Sequence, residues 1–290
     1  MRVLITGSTG FIGSAARKAL VDAGHMPIVV KRPGSALGDH DVAVDLTDLD
    51  GLRKAASGVD AVIHAAASDN PDFWPVSQAA ALAMIEGLPD GSRFVAHGGT
   101  IVFGPTTHDP ANPTTLNPPP PLAGRAALDQ AILDAGNGRV HTHVVFGSLL
   151  YGGPGAVIPQ AMVGTARASG AVLYAGDGSQ IWSTVHVDDF GRLLVAAVAT
   201  ADAASGPIFA ADRSIAMADF AQEIGVALDL PVRAATDEEA RQSYGMFAAA
   251  FGMSQHFSGD VARDAFGWTP LANADALREA IRSLAEGAIK

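Results

Sequence analysis

The chain has no cysteine among its 290 residues, which excludes disulfide staples and thiolate metal sites and fits a reducing compartment. It is also short of positive charge. Lys and Arg number 19 against 30 Asp and Glu, a formal net charge of −11, so a nucleic-acid partner, which needs a basic face, is set aside. Mean hydropathy is +0.22. No apolar run approaches the ~18–20 residues of a membrane helix, so no membrane partner is expected. No basic stretch precedes the first apolar segment, because RVLIT begins at Arg2; a cytoplasmic location is expected rather than secretion. Two chemically useful residue types are scarce. The lysines are Lys18, Lys31, Lys54 and Lys290, and the tyrosines are Tyr151, Tyr174 and Tyr244.

What is present is a buried globular pattern, 48% hydrophobic and 17% charged. The length suits one large α/β domain with a smaller lobe. Strands are expected at RVLIT (2–6), PIVVK (27–31), VAVD (42–45), DAVIHAA (60–66), RFVAH (93–97) and VHTHVVFG (140–147). Each is a near-continuous apolar run, as in parallel strands buried on both faces. Helical patterns lie between them at Phe11–Ala23, Asp48–Ala56, Val76–Leu88 and Leu122–Ala135, with Asp48 as a cap and Gly24, Gly58 and Gly136 as stops. The alternation predicts a Rossmann-type doubly wound parallel sheet. Residues 1–150, with a helix over 186–200, are expected to form the dinucleotide-binding domain. Residues 151–185 and 205–290 are expected to form a smaller C-terminal α+β substrate lobe. The proline-rich stretch Pro105–Gly124 is too long for a mere connector.

ITGSTGFIGSAARKAL places Gly7, Gly10 and Gly13 in GxxGxxG spacing between a strand and a helix. That context suits a dinucleotide: glycine at the turn, glycine where backbone nears pyrophosphate, and glycine for close helix–strand packing. The phosphates would then face the positive end of the helix at Phe11, Ile12 and Gly13. At the end of the second strand an acidic residue accepts from a ribose 2′-OH and a basic one meets a 2′-phosphate. Here stand Lys31 and Arg32, so NADP(H) is favoured over NAD(H).

TGSTGFIG, DLTDL (45–49), DAVIHAAA (60–67), DGSQIWSTVHVDDFGRLL (177–194) and DAFGWTP (264–270) together resemble the extended short-chain dehydrogenase/reductase family, which includes the sugar epimerases and dehydratases. The resemblance covers almost the whole chain and is strongest toward atypical members. It implies that Asp45 and Leu46 flank the adenine and that Ala65, Ala66 and Ala67 run beside the nicotinamide ribose. It also implies chemistry through Tyr and Lys in YxxxK, with Ser or Thr upstream. The matching helix start here is LAGRAALDQA, so Ala123 stands for Tyr and Ala127 for Lys, while Gly99 takes the Ser position. Nor can the motif lie elsewhere, since Gly155, Gly178 and Ala248 follow the three tyrosines at that spacing. The family's standard mechanism is excluded.

Replacements are sought nearby. His97 shares a strand face with Gly99 by alternation and is the first choice for the proton-handling group, followed by Thr100 and Tyr151. His108 and Asp109 lie on the proline-rich loop, and His186 reads as a brace. Ser68, Asp69, Phe73 and Trp74 follow the fourth strand at the carboxyl edge of the sheet, where an apolar small-molecule substrate would rest. The span from His64 to Gly99 is shorter than the family's usual one, which curtails a helix behind its common dimer; a homodimer remains the expectation for assembly. Three functions stay open: an NADP(H)-dependent oxidoreductase of a small apolar carbonyl or hydroxyl compound, a non-redox lyase, isomerase or cyclase, and an inert NADP(H) sensor.

Overall fold

The computed structural model describes residues 1–67, 72–201, 203–245 and 248–287. The first half of the chain alternates β1 (Arg2–Thr6), α1 (Phe11–Asp22), β2 (Met26–Lys31), β3 (Val42–Ala43), α2 (Leu49–Ala56), β4 (Ala61–His64), α3 (Phe73–Gly87), β5 (Arg93–Gly99), α4 (Ala123–Asp134) and β6 (His141–Gly147). There follow β7 (Leu149–Tyr151), α5 (Val157–Ser169), β8 (Val172–Tyr174), β9 (Ile181–His186), α6 (Val187–Ala199), β10 (Gly206–Ala210), β11 (Arg213–Ala216) and α7 (Met217–Leu228). The chain continues through β12 (Val232–Ala234), α8 (Asp237–Tyr244), α9 (Ala248–Phe251), α10 (Asp260–Phe266) and α11 (Ala276–Ala285).

Seven strands form one parallel sheet in the order β10-β6-β5-β4-β1-β2-β3, the doubly wound arrangement expected. Alternation divides the core. Val3, Ile5, Val29, Ile63, Val95 and Val145 meet Ala16, Leu20, Phe190 and Leu194 of α1 and α6. Leu4, Ile28, Val62, Phe94 and Val144 meet Leu52, Met84 and Ile132 of α2, α3 and α4. The order reverses between β1 and β4, which opens the crevice where ligands of such sheets lie. A third apolar cluster joins β7, α5, β9, α7 and α11 around Trp182 and Phe220.

Some elements differ from the sequence reading. Val42–Ala43 is only a two-residue strand, because Asp45 turns the chain by accepting from Thr47 N and Thr47 Oγ1. Helix α3 starts at Phe73 rather than Val76. Gly206–Ala210, expected in the smaller lobe, pairs with β6 as the seventh strand, since its buried Ile208, Phe209 and Ala210 complete both faces of the sheet. Phe266 and Trp268, expected in the same lobe, pack into the α1/α6 core.

The proline-rich stretch is not a free loop. Gln255 N donates to Ile181 O and Ser183 N donates to Gln255 O, so residues 253–258 run beside the start of β9, on the side where β7 pairs only from Thr184 onward. The same segment then ties down residues 104–111: Gln255 Nε2 donates to Gly104 O, Thr106 N to Ser254 O, and Ala111 N to His256 O. Phe257 stacks on Phe209 at 4.8 Å and lies 6.0 Å from Phe103.

Candidate active site

The glycine loop is shaped by close approach. Gly7 has φ +66, where side chains are disfavoured, and a Cβ there would lie 2.5 Å from Ala65 C and Ala66 N. A Cβ at Gly13 would lie 2.1 Å from Gly7 O. The turn is thus wedged between β4's exit and α1's first turn. Gly10 at the N-cap makes no side-chain cap, and no acidic residue stands in the first turn, which leaves the N–H groups of Phe11, Ile12 and Gly13 to a ligand. The Phe11 side chain itself lies against Gly153 and Gly155 beyond β7.

Behind this loop runs a buried polar chain that the sequence did not announce. His64 Nδ1 lies 2.8 Å from Thr6 Oγ1 and its Nε2 lies 2.8 Å from Ser77 Oγ, while Ala66 N donates to Thr6 Oγ1. Both ring nitrogens are engaged, so His64 is fixed in place and, through Thr6, braces the Ala66 amide. The only early signal was the polar Thr6 and His64 ending two apolar strands.

At the end of β5 and the start of α4 the structure leaves open space. A Cβ at Gly99 would meet nothing within 4 Å, and Ala123 and Ala127 are exposed, one turn apart on α4. His97 is partly buried beside them. Burial, the Arg125 guanidinium and His64 push its pKa down to about 3, while a hydrogen bond to the Ala65 carbonyl opposes that shift. The ring is therefore neutral at neutral pH.

The other sequence candidates are engaged differently. Thr100 is buried and donates to Ser148 Oγ, which donates to Gln255 O, so its hydroxyl serves structure. Tyr151 is buried in the third cluster, edge-on to His186 at 5.3 Å, and burial pushes its pKa up to about 12, which makes it a poor acid. Trp74 carries the Arg125 guanidinium 5.4 Å from its ring centre and packs against Gly124; Phe73 meets it edge-on at 5.8 Å. The Trp74 face is thus covered by α4, not offered to a substrate. Ser68 and Asp69 lie outside the described residues. Arg125 pairs with the fully buried Asp129 and donates to the His97 carbonyl, a helix-spaced charge pair visible in the sequence but unread.

After β3, Asp45 forms its turn with Thr47 and Leu46 packs on the core. Lys31 does not stand free for a 2′-phosphate: it pairs with Asp41 at 2.7 Å and donates to Ala36 O. Arg32 is exposed.

The buried histidines make a pH prediction. Burial foremost lowers His64 to about 4, His97 to about 3 and His143 to about 4, from 6.5. Between these values and pH 6.5 the unfolded chain binds more protons than the folded one, so stability is present above pH 6.5 and is lost as pH falls. The unfolding free energy should fall between pH 7 and 5, by up to about 1.4 kcal/mol per pH unit per ring, and the urea midpoint with it. A flat midpoint over that range would show the rings to be solvated.

Residues 3–211 match the family described as the NAD dependent epimerase/dehydratase family. An uncharacterized protein of Schizosaccharomyces pombe is 26% identical over 281 residues, 93% of this chain and 95% of its own. A 2-alkyl-3-oxoalkanoate reductase of Stenotrophomonas maltophilia is 28% identical over 210 residues, 65% of this chain and 62% of the reductase. Among solved structures, a nucleoside-diphosphate-sugar epimerase from Pseudomonas aeruginosa superposes with TM-score 0.78 at 18% identity over 100% of this chain and 99% of its own. A dTDP-glucose 4,6-dehydratase from Streptomyces venezuelae, with NAD bound, gives 0.74 at 22% over 100% and 99%.

Proposed function

Because this chain belongs to the NAD dependent epimerase/dehydratase family, an NAD(P)-dependent group, we propose that it is an oxidoreductase interconverting an apolar carbonyl compound and its alcohol, with NADP(H) as cofactor and no Tyr–Lys pair. The observation that carries this reading is the wedged glycine loop. Gly7 and Gly13 tolerate no Cβ, yet Gly99, Ala123 and Ala127 have surrendered the family's reactive groups. A binding cradle kept while the acid is lost favours chemistry that the bound dinucleotide supplies as hydride.

In this reading the amides of Phe11, Ile12 and Gly13 hold the pyrophosphate, and Arg32 faces the ribose 2′-phosphate. Ala65–Ala67, fixed by His64 and Thr6, run beside the nicotinamide ribose. His97 orients the substrate oxygen, and because burial holds the ring near pKa 3 the proton exchanges with solvent in the open space beside Gly99. With its N–H held by the Ala65 carbonyl, the second ring nitrogen is an acceptor for a substrate hydroxyl. The open space at Gly99 and Ala123 receives the substrate, for which a 3-oxo acid ester or an alkyl ketone is the first choice, given the reductase relative. We assign residues 151–185 and parts of 205–290 to the wall that closes this space.

The test combines binding and label transfer. NADPH should bind by calorimetry, and Gly13→Ala should weaken it at least tenfold, as an overpacked close approach requires. Incubation with 4-deuterated NADPH and hydrophobic ketones should place label in the alcohol. Equal turnover by dinucleotide-stripped protein would move the assignment to a lyase, isomerase or cyclase. Binding without label transfer to any ketone would favour the sensor, the reading that the empty Tyr, Lys and Ser positions support.

A further inference from the structure

We propose that Asp41, between β2 and β3, sets how strongly this protein distinguishes NADPH from NADH, by holding an internal anion on the ammonium that a ribose 2′-phosphate would otherwise meet. The proposal rests on the reading above that a dinucleotide lies on the Gly7–Gly13 loop with its adenosine toward the end of β2.

Lys31 ends β2, at the position where this sheet type selects between the two dinucleotides. Its Nζ lies 2.7 Å from Asp41 Oδ2 and donates to Ala36 O at 2.6 Å. Asp41 Oδ2 also accepts from Gly38 N at 2.7 Å. Three points of the connection between the strands thus converge on one ammonium–carboxylate pair. The register explains why the two side chains meet. Lys31 pairs with Ala43 and Val30 with Val42, so Asp41, two residues before Ala43, projects from the same sheet face as Lys31. The pair is well shielded, with side-chain exposures of 32% for Lys31 and 13% for Asp41.

The surrounding charges are consistent. The Lys31 bond, then the Gly38 amide, hold the Asp41 carboxyl below the usual carboxylate range, and Lys31 and Arg17 of α1 add attraction. Arg32, on the other side of the strand end, lends its field to Asp45 instead. Of the cations here, Lys31 is therefore already neutralised, whereas Arg32 and the more distant Arg17 have no ion pair among the described residues, and Arg32 is the one at the strand end. One ammonium cannot serve two anions at full strength. A 2′-phosphate must displace the Asp41 carboxylate or rely on Arg32, whereas NADH meets a neutral pair. The acidic residue absent from the end of β2 has in effect moved ten residues along the chain.

The test is a double-mutant cycle on the full chain, read by calorimetry with NADPH and NADH. Asp41→Asn removes the charge but keeps an oxygen for the Gly38 amide. It should tighten NADPH about tenfold, the usual worth of one charge-assisted contact, and leave NADH within about twofold. Lys31→Ala should change NADPH affinity by less than about threefold in the natural protein, yet abolish the gain in the Asp41→Asn background. Should Asp41→Asn not fold, Asp41→Ser makes the same charge change with a smaller acceptor. An unchanged ratio of the two affinities in Asp41→Asn overturns the proposal. So does a Lys31→Ala loss as large as that of Arg32→Ala. Natural protein that binds neither dinucleotide overturns the functional reading and this inference together; binding with an unmoved ratio overturns this inference alone.

Discussion

Replacing His97 with alanine is expected to cut the rate of alcohol oxidation by about tenfold, the worth of one hydrogen bond that orients the substrate hydroxyl, because a ring held near pKa 3 is a weak proton acceptor. Dinucleotide affinity should barely change, because in the proposed reading the phosphates would lie at the α1 end of the loop. The ring sits two residues before the open Gly99 position, and its N–H is held by the Ala65 carbonyl. A pKa near 3 means that the acceptor form is already complete at neutral pH. The oxidation rate should therefore show no rise between pH 5 and 8 that disappears with His97. Such a rise, centred near 6.5, would mean that the ring titrates in the open cleft and that its burial is lost on substrate binding. His97→Gln, which keeps one amide donor and one acceptor oxygen, should recover part of the rate. An unchanged rate in His97→Ala would pass the role to water in the space beside Gly99.

The second large effect is structural. Asp189 is fully buried at the start of α6, where its carboxylate accepts from Leu271 N at 2.7 Å and Ala272 N at 3.0 Å and pairs with Arg192. Its own carbonyl accepts from Trp268 Nε1. Asp189→Ala should cost about 3 kcal/mol, because it strands two backbone donors and a guanidinium at once. Asp189→Asn keeps one acceptor and should cost about half as much. Urea unfolding would show the loss as a lowered midpoint with an unchanged slope. A shift below about 0.5 kcal/mol for Asp189→Ala would mean that the 268–272 segment is held by Trp268 alone.

The parallel sheet was legible because each of its inner strands is a continuous apolar run, and because Gly7, Gly10 and Gly13 sit between a strand and a helix in the required order. β10 escaped because Gly206–Ala210 is short, carries a proline, and opens on a serine–glycine step that reads as loop. At the site, the absence of YxxxK could be read directly, since it is a fact of the letters alone. What filled the neighbourhood could not. The clasp of His64 by Thr6 and Ser77, the cover of Arg125 over Trp74, and the bond from Gln255 to Gly104 join residues distant in the chain, and periodicity carries no information on such pairings. The Lys31–Asp41 pair is nearer in sequence, but it depends on the register of a strand two residues long.

The bracing of residues 104–111 by 253–258 has a consequence for how the molecule is made. During synthesis, Phe103, Phe146 and Phe209 emerge well before Phe257, the ring that stacks on Phe209. The edge of β9 likewise waits for Gln255. A nascent chain can pair its parallel strands while this aromatic patch and this strand edge are still bare, so the half-made protein carries a sticky flank just where the finished one has a wall. Translation pauses upstream of Met253 would lengthen that exposure, and a chaperone that shields aromatic clusters would act on this chain late, after the sheet has formed.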